Sequence, residues 1–255
     1  MPDASPLTLT SPDFRPRCFA LVPCAGVGER AGVGGPKQYH PVAGRAVVGH
    51  TLTALLAVPQ LEAVLVVLSP QDDQFERHAP EFRGERAWVA RVGGVTRAES
   101  VASGLSELLA RGAQPHDWVL VHDAARCLLQ PEWVQRLMAE CDADEVGGLL
   151  ALPLADTLKA ATRGEGGEPR ALATVDRTGK WAAQTPQMFR LGLLRPALVS
   201  ALSSPDTATA ITDEASAIEA LNLHPRFVAA DATNLKVTYP LDLHLAEWIL
   251  ANRER

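Results

Sequence analysis

Between residues 21 and 39 the chain reads LVPCAGVGERAGVGGPKQY. Gly26, Gly28, Gly32, Gly34 and Gly35 follow a short apolar run, and Arg30 and Lys37 stand among them. Glycines there let backbone N–H groups turn toward an anion with no Cβ in the way. An arginine and a lysine in the same loop add the positive charge that several phosphates in a row require. Two commoner glycine motifs fit less well. Gly26-x-Gly28-x-x-Ala31 formally matches the dinucleotide-binding fingerprint, but that pattern expects a helix at once and an acid about twenty residues on. Here more glycine and a proline follow, and the next long strand starts only near Glu62. An ATPase phosphate loop needs a hydroxyl after its lysine for magnesium, whereas Lys37 is followed by Gln38. A plain surface loop would leave the glycines without a backbone reason.

Other segments carry polar groups at element ends. In GGVTRAES (93–100), Gly93 and Gly94 would let a flat base or ribose approach the backbone, and Ser100, just inside a helix, could bond a base edge or sugar. The same residues also make an ordinary strand-to-helix turn. VLVHDAAR (119–126) ends a buried strand with His122, Asp123 and Arg126. An Asp at the carboxyl end of a parallel strand sits where open α/β sheets place their ligands. It could hold magnesium beside a polyphosphate, accept from a substrate hydroxyl, or cap a helix. His122 reads as a packed, locally bonded side chain. Asp156, Thr157 and Lys159 form a further polar group, and VDRTGKWAAQTPQ (175–187) adds Arg177, Lys180, Gln184 and Thr185. Arg177 could fork onto a monophosphate, and Trp181 reads as a packing anchor. Lys236, in NLKV, could reach the sheet crevice, although a lone lysine is commonly solvent-exposed.

The elements that must hold these residues follow from periodicity. CFALVP (18–23), EAVLVVL (62–68), WVARV (88–92), DWVLVH (117–122) and VGGLLAL (146–152) read as buried strands. Helices are expected over 47–58, from Ser69-Pro70 through Phe75, over 96–111 with Val101, Leu105, Leu108 and Leu109 on one face, and from Pro131 with Val134, Leu137 and Met138 inward. This alternation predicts an α/β, Rossmann-like, mostly parallel sheet flanked by helices. Residues 153–180 break the pattern: ADTLKA and ALATVD pair around RGEGGEPR as a projecting antiparallel arm. Beyond it are expected a helix or two broken by Pro196, a helix over 211–221 capped by Thr212, and late strands in RFVAA and NLKVTY. A last helix from Pro240 presents Leu241, Leu245, Trp248 and Ile249 on one face. Residues 1–16 read as a flexible tail and 17–255 as one domain, with 153–180 as its arm.

Of 255 residues, 24 are Lys or Arg and 30 Asp or Glu, a formal net charge of −6. That balance argues against a nucleic-acid binder, which needs a basic stripe. No apolar run is long enough for a membrane span. The four cysteines contain no CxxC, giving no metal signature or disulfide framework and favouring a reducing, cytoplasmic setting.

Taken together, PCAGVGERAGVGGPKQY, the GG–R–S pattern at 93–100, VHDAAR, ADTLK, TVDRTGKWAAQTPQMF, ITDEAS and NLKVT resemble, in order, the 2-C-methyl-D-erythritol 4-phosphate cytidylyltransferase family of the non-mevalonate isoprenoid pathway. The resemblance implies transfer of the cytidylyl group from CTP to methylerythritol 4-phosphate, with loss of pyrophosphate. It implies that Arg30 and Lys37 bind the triphosphate and that Lys236 supports charge on the α-phosphate. Ala25, Gly26, Gly28, Gly93 and Ser100 would border the cytidine. Asp123 would anchor a sugar-alcohol hydroxyl or help position the metal-bound centre, and Arg126, Thr157, Arg177 and Thr185 would serve the acceptor. It further implies Mg²⁺ (or another divalent cation) held mainly by the CTP phosphates rather than by a metal site of the protein, and a homodimer exchanging the arm, so that Arg177 serves the neighbouring site. Cys24 replaces a usual alanine and is expected to be tolerated while open to oxidation. Val95-Thr96 replace a common acidic pair, shifting a nucleoside contact to backbone or Ser100, and Ala155 stands where many members carry arginine. Some members are fused to a cyclodiphosphate synthase, and no such second domain is expected within these 255 residues. Other readings are a cytidylyltransferase for another polyol phosphate, such as ribitol 5-phosphate, a Rossmann-type oxidoreductase, and a nucleotide-binding protein without catalysis.

Overall fold

The computed structural model describes residues 15–26, 35–204 and 209–253. In chain order its elements are β1 (Cys18–Pro23), β2 (Pro41–Val42), β3 (Arg45–Ala46), α1 (Val47–Leu56), β4 (Leu61–Val67), α2 (Phe75–His78), β5 (Ala87–Ala90), α3 (Arg97–Ala110), β6 (Trp118–Val121) and α4 (Pro131–Cys141). They continue with β7 (Gly147–Pro153), β8 (Leu158–Arg163), β9 (Pro169–Val175), β10 (Trp181–Arg190), α5 (Leu191–Leu202), α6 (Glu214–Glu219), β11 (Arg226–Ala229) and α7 (Pro240–Asn252). A 3-10 turn covers Lys37–Tyr39.

The main sheet runs β11-β7-β10-β6-β1-β4-β5. All its pairings are parallel except those of β10, which is antiparallel to both β6 and β7. Because strand side chains alternate, each strand feeds two cores. Phe19 and Leu21 pack with Val101, Leu105 and Leu108 of α3 and Leu194 and Leu198 of α5. Ala20 and Val22 face Leu52 and Leu55 of α1 and Val134 and Leu137 of α4. The helix starts are locally encoded. Thr96 caps α3 in a capping box with Glu99, and Pro131 occupies the first turn of α4.

The arm forms as expected: β8 and β9 pair antiparallel as a separate ribbon. Elsewhere several expectations are corrected. The helix near 70 begins at Phe75 rather than ending there, because Asp72 Oδ1 accepts from the N–H groups of Gln74 and Phe75 and delays its start. Pro196 does not break α5. It lies on the exposed side, while Leu194, Ala197, Leu198 and Ala201 stay buried and carry the helix through. Asp213, not Thr212, caps α6, its side chain accepting from the Ser216 N–H. NLKVTY is no strand; it lies beside the β6 loop through a Val237 N–H to Ala125 carbonyl bond. The last helix turns the other way round. Leu243 and Ala246 are buried against Val42, Val47 and Leu128, while Leu241, Leu245 and Trp248 are exposed. Its apolar residues surround the helix, so spacing alone does not choose the inner face. Residues 1–14 of the expected tail lie outside the described residues. Among those described, no helix is long and apolar enough to cross a membrane.

Candidate active site

The carboxyl ends of β1 and β6 open onto a cleft of about 260 Å³, lined by Pro23–Gly26, Lys37, Gln38, Gly94–Arg97, Ser100, Asp123–Ala125 and Lys236. This is the crevice position expected of an open α/β sheet. Arg30 and Gly28 lie outside the described residues. The sheet brings Ala25, Gly26, Lys37, Ser100, Asp123 and Lys236 together, although more than 200 residues separate the first from the last.

Each contributor is pinned. Gln38 donates from Nε2 to the Gly26 carbonyl at 2.7 Å, holding the start of the glycine loop. Lys37 Nζ donates to the Val237 carbonyl at 2.7 Å. Ser100 Oγ accepts from the Gly94 N–H and donates to the Thr96 carbonyl. Gly93 sits behind Ala25, and Gly94 lines the cleft in its place. An added Cβ at Gly93 would lie 2.4 Å from Ala25 Cβ and 2.7 Å from the Leu68 carbonyl oxygen, so only glycine lets these loops approach.

Asp123 is the electrostatic centre. Its Oδ1 accepts from Arg97 Nε at 2.8 Å, its Oδ2 meets Lys236 Nζ at 2.8 Å, and Arg126 Nε lies 3.7 Å away. Burial alone would raise its pKa, but Arg97, Lys236 and Arg126 outweigh it and hold the carboxyl far below the usual range. Arg97 also forks onto Glu214, at 2.7 and 3.0 Å. Burial works against its charge, and Glu214 and Asp123 more than restore it.

A polar scaffold supports the centre from behind. Where β10 shifts register against β7, between Ala183 and Gln187, Gln184 and Thr185 are buried. Thr185 Oγ1 accepts from the Asp123 N–H at 3.1 Å and bonds His122 Nδ1 at 3.0 Å. His122 Nε2 faces the Arg126 carbonyl at 3.3 Å, which assigns the proton to Nε2. Asn234 donates to Gln184 Oε1 and the Thr185 carbonyl, and its own carbonyl accepts from Arg126. Gln187 donates to Asp213 and accepts from the Ala215 N–H, joining TPQ to ITDEAS.

Burial pushes His122 down to about 4 from 6.5, so it is neutral in the folded state. The unfolded chain therefore binds the proton first, and folding stability should decline as pH falls from 6.5 toward 4. Urea unfolding across that window checks this: His122→Gln should flatten the acid-side loss, and an unchanged slope would show that His122 does not contribute.

Thr157 and Arg177 do not line this chain's cleft. Both are exposed at the base of the arm, where Arg177 donates to the Ala155 carbonyl. Trp181 is an anchor as expected, stacked on Phe227 at 5.2 Å between ring centroids. Cys24 is buried, and burial pushes its thiol pKa up, against the thiolate character that oxidation needs. Thr96 of the departing Val95-Thr96 pair serves as the α3 cap.

The 2-C-methyl-D-erythritol 4-phosphate cytidylyltransferase family model matches residues 18–252. The chain belongs to this family. The cytidylyltransferase of Aromatoleum aromaticum is 53% identical over 241 residues, which is 94% of this chain and 98% of that one. The bifunctional enzyme IspD/IspF of Albidiferax ferrireducens is 51% identical over 249 residues, 98% of this chain, and this chain spans 56% of its length. The crystal structure of a 4-diphosphocytidyl-2C-methyl-D-erythritol synthase superposes with a TM-score of 0.77 at 40% identity, covering 92% of this chain and 98% of that one.

For this cytidylyltransferase family member, sequence reasoning passed over Arg97, Glu214, Gln38 and Asn234. Arg97 and Glu214 stand inside quoted motifs, but each reads locally as a first-turn helix residue. The signal that could have raised them is a charged residue opening each of two helices that flank the same strand ends.

Proposed function

We propose that the chain transfers the cytidylyl group of CTP to the phosphate of 2-C-methyl-D-erythritol 4-phosphate through this cleft. The observation that carries the proposal is charge. Among the described residues, three cations, Lys37, Arg97 and Lys236, and one carboxylate, Asp123, line the cleft, an excess of +2 in a chain whose net charge is −6.

An oxygen of the acceptor phosphate attacks the α-phosphorus of CTP; the bond to the bridging oxygen breaks, and its electron pair leaves with pyrophosphate. The nucleophile is already ionised, so no strong general base is needed. The work is neutralisation of two anions, in-line placement and exclusion of water. Arg30 and Lys37 serve the triphosphate and Lys236 the α-phosphate. Ala25, Gly26 and Ser100 frame the cytidine, with Gly94 at the cleft wall in place of the expected Gly93 and Gly28 expected to assist from the glycine loop. Arg126, Thr157, Arg177 and Thr185 serve the acceptor, the first and last from beneath Asp123.

No group of three His, Cys, Asp or Glu side chains able to hold a metal occurs among the described residues. Both Asp123 oxygens already engage cations. This donor set suits a divalent cation carried chiefly by phosphate oxygens. Bound Mg²⁺ would add charge neutralisation on the triphosphate, and Asp123 is the carboxylate among the described lining residues.

A homodimer exchanging the arm fits the exposed ribbon and the placement of Thr157 and Arg177 away from their own cleft. Arg177→Ala should raise the acceptor KM by about tenfold or more while sparing that for CTP. Mixing Arg177→Ala with Lys37→Ala subunits should restore part of the activity through one intact site per mixed dimer; no recovery, with subunit exchange verified, counts against sharing.

The deciding assay is pyrophosphate release with four nucleotides and a panel of polyol phosphates. Release with CTP and methylerythritol 4-phosphate is expected. Faster turnover with ribitol 5-phosphate would reassign the acceptor, and no release with any polyol phosphate would sink the reading.

A further inference from the structure

Glu214 is wholly buried, yet it belongs to no part of the transfer described so far. Its two oxygens accept from Nη1 and Nη2 of Arg97 at 2.7 and 3.0 Å. The remaining donor of that guanidinium, Nε, holds Oδ1 of Asp123 at 2.8 Å. The other oxygen of Asp123 holds Lys236 Nζ at 2.8 Å, inside the cleft. Thus Glu214, Arg97, Asp123 and Lys236 form a chain of alternating charge in which both oxygens of each carboxylate and all the nitrogens of the guanidinium are used.

A lysine on a flexible four-carbon stem does not hold its ammonium in one place by itself. Asp123 fixes it only as firmly as Asp123 is fixed. Arg97 can orient Asp123 because its planar fork is already locked on the far side by Glu214. Gln187 secures the helix that bears Glu214, accepting from the Ala215 N–H and donating to Asp213.

We propose that Glu214 is a positioning residue for nucleotidyl transfer: acting through Arg97 and Asp123, it holds the Lys236 ammonium where charge develops on the α-phosphate. This rests on the cytidylyltransferase reading of the same cleft. A merely structural role, tying α3 to α6, would use the Arg97–Glu214 fork alone and would not extend to Lys236.

The test is a double-mutant cycle run with whichever polyol phosphate the wild-type enzyme turns over. Glu214→Gln keeps the shape and removes the charge. It should lower kcat by about tenfold to a hundredfold, the usual consequence of losing a group that orients a catalytic one. The KM for CTP should stay within about twofold. In a Lys236→Ala background, assayed at high enzyme concentration, the same substitution should change kcat by less than about twofold, because what it positions is gone. Losses that multiply in the two backgrounds, or a raised KM with kcat intact, overturn the proposal. Arg97→Lys, which keeps the charge but loses the fork, repeats the cycle if Glu214→Gln does not fold. Wild type without turnover on any polyol phosphate removes the reading beneath and the inference with it; turnover with multiplicative losses removes the inference alone.

Discussion

Lys236→Ala should lower the kcat of pyrophosphate release by about a hundredfold or more, the scale seen when a preorganised charge-stabilising donor is lost. The ammonium sits in the cleft 2.8 Å from Asp123 and is partly open to solvent, so its removal exposes no buried charge without a partner. Asp123 keeps Arg97 at 2.8 Å. The unfolding midpoint in urea should therefore stay near that of wild type while turnover collapses. Near-normal kcat would show that the α-phosphate sits elsewhere.

Asp123→Asn should act on both stability and turnover. It removes a buried carboxylate that faces Arg97, Lys236 and Arg126. With Glu214 included, the cluster goes from three cations and two carboxylates, +1, to +2. Breaking such a buried arrangement from one side costs about 3–5 kcal/mol, readable as a lower urea midpoint. The pH dependence has a definite sign. Folding depresses the Asp123 pKa below its ordinary 3.8, so its contribution is complete above that value and is lost only as acidification approaches the lower folded value. The gap between wild type and Asp123→Asn should be flat above about pH 5 and should narrow below it. A gap that instead closed between neutral pH and pH 5 would place the effect on another group.

Much of the fold was legible because the strands are apolar runs with sharp punctuation. CFALVP and EAVLVVL announce buried parallel strands, and Pro131 announces a helix start. The direction of α7 was not legible, because its apolar residues surround it and the inner face is chosen by Val42, Val47 and Leu128, remote in sequence. The same division runs through the site. Lys37 and Asp123 stand at element ends with glycine or a buried strand beside them, which marks them. Glu214 looks like any acid in a first helical turn, and only the 117-residue separation closed by its bonds to Arg97 gives it meaning. The motif around Thr185 points to the acceptor, but its hold on the Asp123 N–H depends on a register shift in β10 that pattern reading does not reveal.

The Lys37 contact with the Val237 carbonyl carries a consequence for how substrate enters. Lys37 donates to an oxygen of the C-terminal segment, and the neighbouring Lys236 rests on Asp123. These internal oxygens take donor positions that the phosphate oxygens of a substrate would otherwise take. Entry is then an exchange of oxygens rather than a capture of bare charge, and each swap returns little by itself. A lone small anion gains almost nothing from it, whereas a molecule that offers a row of phosphate oxygens can trade for several places at once.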